Sequence, residues 1–203
     1  STPIKSSAAS DVYKRQDYLS ASAHKFHGPK GVGFLYARKN QDLSSFIHGG
    51  SQERGKRAGT ENVAGIVGMA QALVIAAQEM PYTRGKLTRL RNYFAERVRH
   101  EIPNIRLNGH PYKRLPGNVN FSIEGIDATA LLVLLEEEGI CASAGSACNT
   151  GQTRISHVIE AIRVPENYAA GSVRFTMGRD TTRRDVDACV DALKRCVIIL
   201  RQG

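Results

Sequence analysis

Three features predict a mixed α/β fold. From Leu87 onward, segments of helical and strand periodicity alternate, the pattern of a sheet covered by helices. One strand shows a clear period of two, with Val119, Phe121 and Ile123 pointing one way. And 41% of the 203 residues are hydrophobic, enough for a real core.

Ser1 to Gln16 is polar and without clear period, and is expected to be poorly ordered. It reads either as a foreign or misassembled leader or as a divergent native start. Ser20 to Gly33 follows as SASAHKFHGPKGVG, with Lys25 between His24 and His27 and ahead of a Gly-Pro-Lys-Gly turn. Gly31 to Arg38 is a predicted strand, and Lys39 to Ser45 a connection or short helix. His48 to Gly59 is a basic loop. From Glu61, Val63, Ile66, Val67, Ala70, Leu73 and Val74 recur at helical spacing, and Pro81 is expected to stop that helix. A second helix is expected from Thr83 to Glu101, with Leu87, Leu90, Tyr93, Phe94 and Val98 as its apolar stripe.

Short strands are predicted over Asn104–Asn108, Gly117–Ile123 and Ser172–Thr176. Asp127 is a good N-cap for a helix over Ala128–Glu138, with Gly139 past its end. Arg154 to Ile162 reads as a short helix. A closing amphipathic helix runs from Thr182 to Arg201; Thr181 or Thr182 caps it, and Asp185 and Asp187 suit its positive end.

Composition narrows the functional classes. The net charge of +9 is not gathered into one block, and no zinc-finger or RNA-recognition signature is present. Phosphate, carboxylate and acidic protein partners account for it, so no nucleic-acid partner is expected. No apolar stretch reads as approaching the roughly 18 residues of a membrane span, and no signal peptide is visible. Four cysteines in this length do not make a disulfide framework, and neither close pair has zinc-ligand spacing. No metal and no membrane are expected, and a reducing, cytoplasmic setting is the simplest reading.

Several residues stand out chemically. A lysine amine attacks an aldehyde only when neutral, which a partly buried site with cationic neighbours such as His24, His27 and Lys30 would favour. Thr60 follows Arg57-Ala58-Gly59 at a helix start, where N–H groups and a hydroxyl can meet an anion. The plainer reading is an N-cap with Glu61 in the first turn, and both can hold. Cys148 lies in ASAGSACNTG, small polar surroundings that suit an exposed nucleophile better than a core thiol. Cys141 reads as core, and Cys189 and Cys196 as one packed helix face. Arg174, inside Val173-Arg174-Phe175, needs a partner and suits a carboxylate. His110 and His157 have no partner that can be named from sequence.

Together, Ser22-Ala23-His24-Lys25 with Gly28-Pro29-Lys30-Gly31, Arg57-Ala58-Gly59-Thr60-Glu61-Asn62, Ser143-Ala144-Gly145-Ser146-Ala147-Cys148 and Ser172-Val173-Arg174-Phe175 resemble the cysteine desulfurases of the NifS/IscS type, pyridoxal-phosphate (PLP) enzymes of the class V aminotransferase family. The resemblance runs from about Asp17 to the C-terminus. It implies an α/β chain comprising the end of the PLP fold-type I large domain (17–81) and a small α/β C-terminal domain (82–203), with 1–16 unmatched.

It further implies roles. Lys25 binds PLP covalently and moves the substrate's α-proton. Ser22 and His24 hold the cofactor phosphate or its neighbourhood, and Thr60 reaches the phosphate of the other subunit of a homodimer. Arg174 binds the α-carboxylate of L-cysteine. Cys148 takes sulfur as a persulfide, releasing L-alanine, and passes it to an acceptor or scaffold protein, as in iron–sulfur cluster assembly. The family's aspartate on the pyridine nitrogen, its stacking histidine and its ring-hydroxyl glutamine precede the lysine segment; Asp11 and Asp17 are not plausible stand-ins, so the chain alone is expected to be inactive. The alternatives are another class V enzyme, such as a selenocysteine lyase or aminotransferase, or an inert truncated module.

Overall fold

The computed structural model describes residues 16–144 and 155–202. The expected poorly ordered start falls almost wholly outside them, as does Cys148. The chain forms two compact units, Ser1–Met80 and Pro81–Gly203.

In the first unit, β1 (Tyr18–Ser22) pairs antiparallel with β2 (Gly33–Ala37), Ser22 facing Gly33. The sequence showed β2 but not β1, because YLSAS is too short and too polar to stand out. Asp17 and Arg38 close the open end of the hairpin at 3.2 Å. Residues 39–45 form a connection and not a helix.

Helix α1 (Val63–Glu101) continues through Pro81, so the expected stop and restart do not occur. An internal proline removes one backbone hydrogen bond and costs roughly 3 kcal/mol. The Ala-, Gln- and Leu-containing run AQALVIAAQEM before it, and the packing of Leu87, Phe94 and Val98 after it, carry the helix across despite the weak formers Tyr82, Thr83 and Gly85. Its first half leaves Val63, Val67, Leu73 and Val74 exposed, while Gly65 and Met69 turn inward. Its first half contains an 18-residue window of mean hydropathy 1.5, and the helix is long and apolar enough by length and composition to span a membrane. The sequence reading of no such stretch is corrected on that point.

The second unit is built on an antiparallel sheet in the order β3 (Ile105–Leu107), β4 (Asn118–Ile123), β5 (Ser172–Thr176). Alternation puts Val119, Phe121 and Ile123 of β4, with Val173 and Phe175 of β5, on one face. That face forms a core with Phe94 and Val98 of α1, Leu131 and Leu135 of α2 (Ala128–Glu137), and Val190, Leu193 and Val197 of the closing helix. Two short helices, α3 (His157–Ala161) and α4 (Glu166–Ala169), precede β5; α4 is too short to carry a period and was not expected. Arg91, on the polar side of the sequence stripe, is 4% exposed and donates to the carbonyls of Arg114 and Leu115, which satisfies it without a carboxylate.

The caps follow the sequence. Asp127 accepts from the Ala130 N–H at 2.9 Å. At the start of α5 (Arg183–Gln202), the Asp185 carboxylate accepts from the Thr182 N–H at 2.8 Å and the Thr182 hydroxyl accepts from the Asp185 N–H at 3.3 Å, a reciprocal capping box. Of the two threonines, Thr182 is the cap; Thr181 accepts from the Gly178 N–H instead.

Arg97 ties α1 to α5. It donates to Glu101 at 2.7 Å, Asp187 at 2.8 Å and Asp191 at 3.2 Å, and Tyr93 donates to Asp187 at 2.6 Å. The Arg97 hydrogen bond holds Glu101 below its ordinary 4.5, and the Tyr93 hydroxyl, then Arg97, hold Asp187 below its ordinary 3.8. A carboxyl whose value is depressed on folding stabilises the fold above its unfolded value, and that contribution is lost as pH falls through the folded one. Urea unfolding midpoints should therefore fall as pH drops below about 4.5. Arg97→Met should flatten that slope; an unchanged slope would deny the network a part in it.

Candidate active site

The lysine segment is a short 3-10 turn, Ala23–Phe26, leaving the end of β1. Ala23 is fully buried and anchors it: its N–H donates to the Val32 carbonyl at 3.0 Å and its carbonyl accepts from Gly28 N–H at 2.9 Å. His27 closes the turn in the left-handed region with φ 66°, and its N–H also donates to the Ala23 carbonyl. A Cβ at Gly28 would lie 2.9 Å from the Ala23 Cβ, so the return of the chain requires glycine there. This brings Ser22, His24 and Lys25 together on one anchored turn, with all three side chains exposed. Lys25 is exposed, so the partial burial expected of it is not supplied by the described residues of its own unit.

Thr60 lies on a separate loop of the same unit and is exposed. It does not cap α1. Asn62 does, accepting from the Gly65 N–H at 3.0 Å. The helix begins at Val63, which places Asn62 and not Thr60 three residues before the amide a cap must reach. The N–H of Gly59, expected to be free for an anion, is donated to the Gln52 side chain at 3.1 Å.

Arg174 lies in the second unit. Val173 and Phe175 point into the core, and Arg174, half-buried, points to the opposite face beside Asn120 of β4. Its backbone makes an antiparallel bridge to Ser143: Arg174 N–H to the Ser143 carbonyl at 2.7 Å, and Ser143 N–H to the Arg174 carbonyl at 3.1 Å. The segment that leads into the cysteine loop is thereby fastened beside Arg174. Sequence gave no signal of this contact, since Ser143 belongs to no predicted strand.

Cys141 is exposed, not in the core, because α2 ends at Glu137 and the chain leaves Gly139 as irregular backbone with Ile140 turned inward. Burial pushes the Cys189 thiol up to about 12 and also raises that of buried Cys196. Iodoacetamide at mildly alkaline pH should therefore modify Cys141 well before Cys189 or Cys196, read by peptide mass spectrometry. Equal rates would contradict the burial. His110 does have partners: its Nδ1 accepts from the N–H groups of Tyr112 and Lys113.

The family model for aminotransferase class V matches residues 8–189. The chain belongs to the class V aminotransferase family. The match takes in residues 8–16, which the motifs leave out. Among curated members, the cysteine desulfurase IscS of Dictyoglomus turgidum is 49% identical over 91% of this chain and 47% of its own length. A cysteine desulfurase of Klebsiella pneumoniae is 43% identical over 92% and 47%. Among solved structures, a NifS-like protein matches with a TM-score of 0.81 and 34% identity, covering 92% of this chain and 47% of that one. The NifS-like protein from Rickettsia africae matches with a TM-score of 0.80 and 28% identity, covering 90% and 48%. The mixed α/β fold is thus that of NifS-like class V aminotransferases, and the chain spans about half the length of the curated relatives it matches.

The donor set fits the cofactor this family implies. One primary amine, two hydroxyls and an imidazole are the groups that an aldehyde and a phosphate require, and the amine, one hydroxyl and the imidazole share one anchored turn.

Proposed function

We propose that this chain carries the later half of a PLP-dependent cysteine desulfurase. The parent enzyme converts L-cysteine to L-alanine and hands the sulfur, held as a persulfide on Cys148, to an acceptor or scaffold protein in iron–sulfur cluster assembly. Residues 17–81 complete its cofactor domain and 82–203 form its small domain. The observation that carries the reading is the Ser143–Arg174 bridge, which supports a carboxylate-binding arginine and a sulfur-accepting loop working on one small substrate.

Bound PLP supplies an electron sink at the substrate's α-carbon. The chain's residues do the rest. Ser22, His24 and Thr60 hold the phosphate, and Arg174 pairs with the α-carboxylate. Lys25 takes and returns the α-proton. The Cys148 thiolate attacks the substrate sulfur; an S–S bond forms as the Cβ–S bond breaks, and Cβ takes a proton to leave alanine. Thr60 serves the site of a second subunit, so the working form is a homodimer.

The setting is cytoplasmic, with neither nucleic acid nor membrane as partner. Gln71, Gln78 and Glu79 interrupt the apolar first half of α1. That pattern favours packing against protein over a lipid span. The exposure of Lys25 and Thr60 favours a second reading for the chain by itself: a folding or dimerisation module that does not turn over.

In the intact protein supplied with PLP and L-cysteine, Cys148→Ala should lower alanine and sulfide formation by about a hundredfold or more, as loss of a nucleophile does. Unchanged release would refute the role of Cys148.

A further inference from the structure

One side chain outside the motif positions organises the loop that ends at Thr60. Three successive residues, Glu53, Arg54 and Gly55, are left-handed, with φ of 48°, 59° and 74°. Two of these are not glycine, and such residues persist only where the surroundings impose the conformation. The turn is held by Gly55 N–H donating to the carbonyls of Ser51 and Gln52 at 3.0 and 2.9 Å, and by Lys56 N–H donating to the Glu53 carbonyl at 3.1 Å.

Its effect is to send the chain back past Gln52. The Gln52 Oε1 accepts the Gly59 N–H at 3.1 Å, and Gly59 sits at φ +105°. The Gln52 side chain lies close over Gly50, where a Cβ would approach Oε1 to 2.5 Å, so a larger residue at 50 would displace it. Buried Ala58 pins the other flank, donating its N–H to the Ile47 carbonyl at 3.3 Å. Beside Gly59 stands the Arg57 guanidinium, with Nη1 3.4 Å from where a Gly59 Cβ would be.

We propose that Gln52 is the positioning residue of the Thr60 phosphate contact: it captures the Gly59 N–H and so sets the direction from which the Thr60 hydroxyl and the Arg57 charge meet an anionic oxygen. This rests on the reading of Thr60 as a phosphate-binding residue. Gln52 does not touch the ligand. Its role is to spend the Gly59 N–H on a fixed internal acceptor, so that the next residue is presented in one orientation and not several.

The test uses the full 203-residue chain, labelled with nitrogen-15 and titrated with inorganic phosphate at ionic strength held constant with chloride. Saturable shifts of the Gly59 and Thr60 amide signals are expected in the wild type. Gln52→Leu should weaken phosphate binding about tenfold, the value of one good hydrogen bond, and speed hydrogen exchange at Gly59. Gln52→Asn, whose acceptor is one methylene short, should behave likewise and serves if the leucine variant does not fold. Gln52→Glu keeps the acceptor; it should restore Gly59 protection and bind phosphate more tightly than Gln52→Leu despite its added negative charge. Wild-type affinity in the leucine and asparagine variants overturns this inference alone. No saturable shift in the wild type overturns the Thr60 reading, and the inference with it.

Discussion

Replacing Lys25 with alanine should abolish preferred covalent capture of PLP, if Lys25 is the site proposed above. The wild-type chain, mixed with PLP and reduced with borohydride, should carry the pyridoxyl mass on the peptide containing Lys25. The reason is local. Any exposed lysine can add to an aldehyde, and Lys30, Lys39 and Lys56 are exposed too. Lys25 differs in standing on a turn anchored through Ala23, beside the Ser22 hydroxyl and the His24 imidazole, which can hold the phosphate while the amine reacts. Lys25→Arg keeps the charge and should also lose the label, since a guanidinium does not form the adduct. Pyridoxal without its phosphate should label the lysines with no such preference. Even labelling of all lysines by PLP would remove the basis for a cofactor site on this turn.

Phe94→Ala should destabilise the second unit by about 3–5 kcal/mol. Phe94 is 1% exposed and makes edge contacts with Phe121 and Phe175, at centroid distances of 5.7 and 5.2 Å. Those pairings add to the burial of the ring itself. An open pocket of about 110 Å³, lined by Phe94, Ile140, Phe175, Met177, Thr181 and Asp185 among others, adjoins the ring. Truncation would leave a void that the surrounding core cannot collapse fully to refill. Urea unfolding should report the loss as a lower midpoint with little change in slope. A loss below about 1 kcal/mol would mean that the aromatic cluster is not the centre of this core.

Much of the second unit was legible from the chain. The alternation of Val119, Phe121 and Ile123, the cap at Asp127, the capping box at Thr182 and Asp185, and the stripe containing Leu87, Phe94 and Val98 each act within one or two turns of backbone, so neighbours in sequence suffice to reveal them. The family was legible for a different reason: Lys25, Thr60 and Arg174 stand in short motifs whose order alone is informative, and the match over residues 8–189 agrees.

Other features required the folded chain. Whether Pro81 ends a helix depends on how strongly both flanks propagate it, which one residue's chemistry does not settle. Asn62 outranks Thr60 as the cap because of where the first helical amide falls. Cys141 is exposed and Arg91 buried because loop and sheet positions far away in sequence define inside and outside there. The Ser143–Arg174 bridge and the Gln52–Gly59 hydrogen bond are decided the same way. Periodicity and capping are properties of a segment, whereas burial, register and a side chain's partner are properties of segments brought together. The amino-acid order therefore determined the family and most of the elements of the second unit, and only tertiary structure decided which groups are held, covered and aimed.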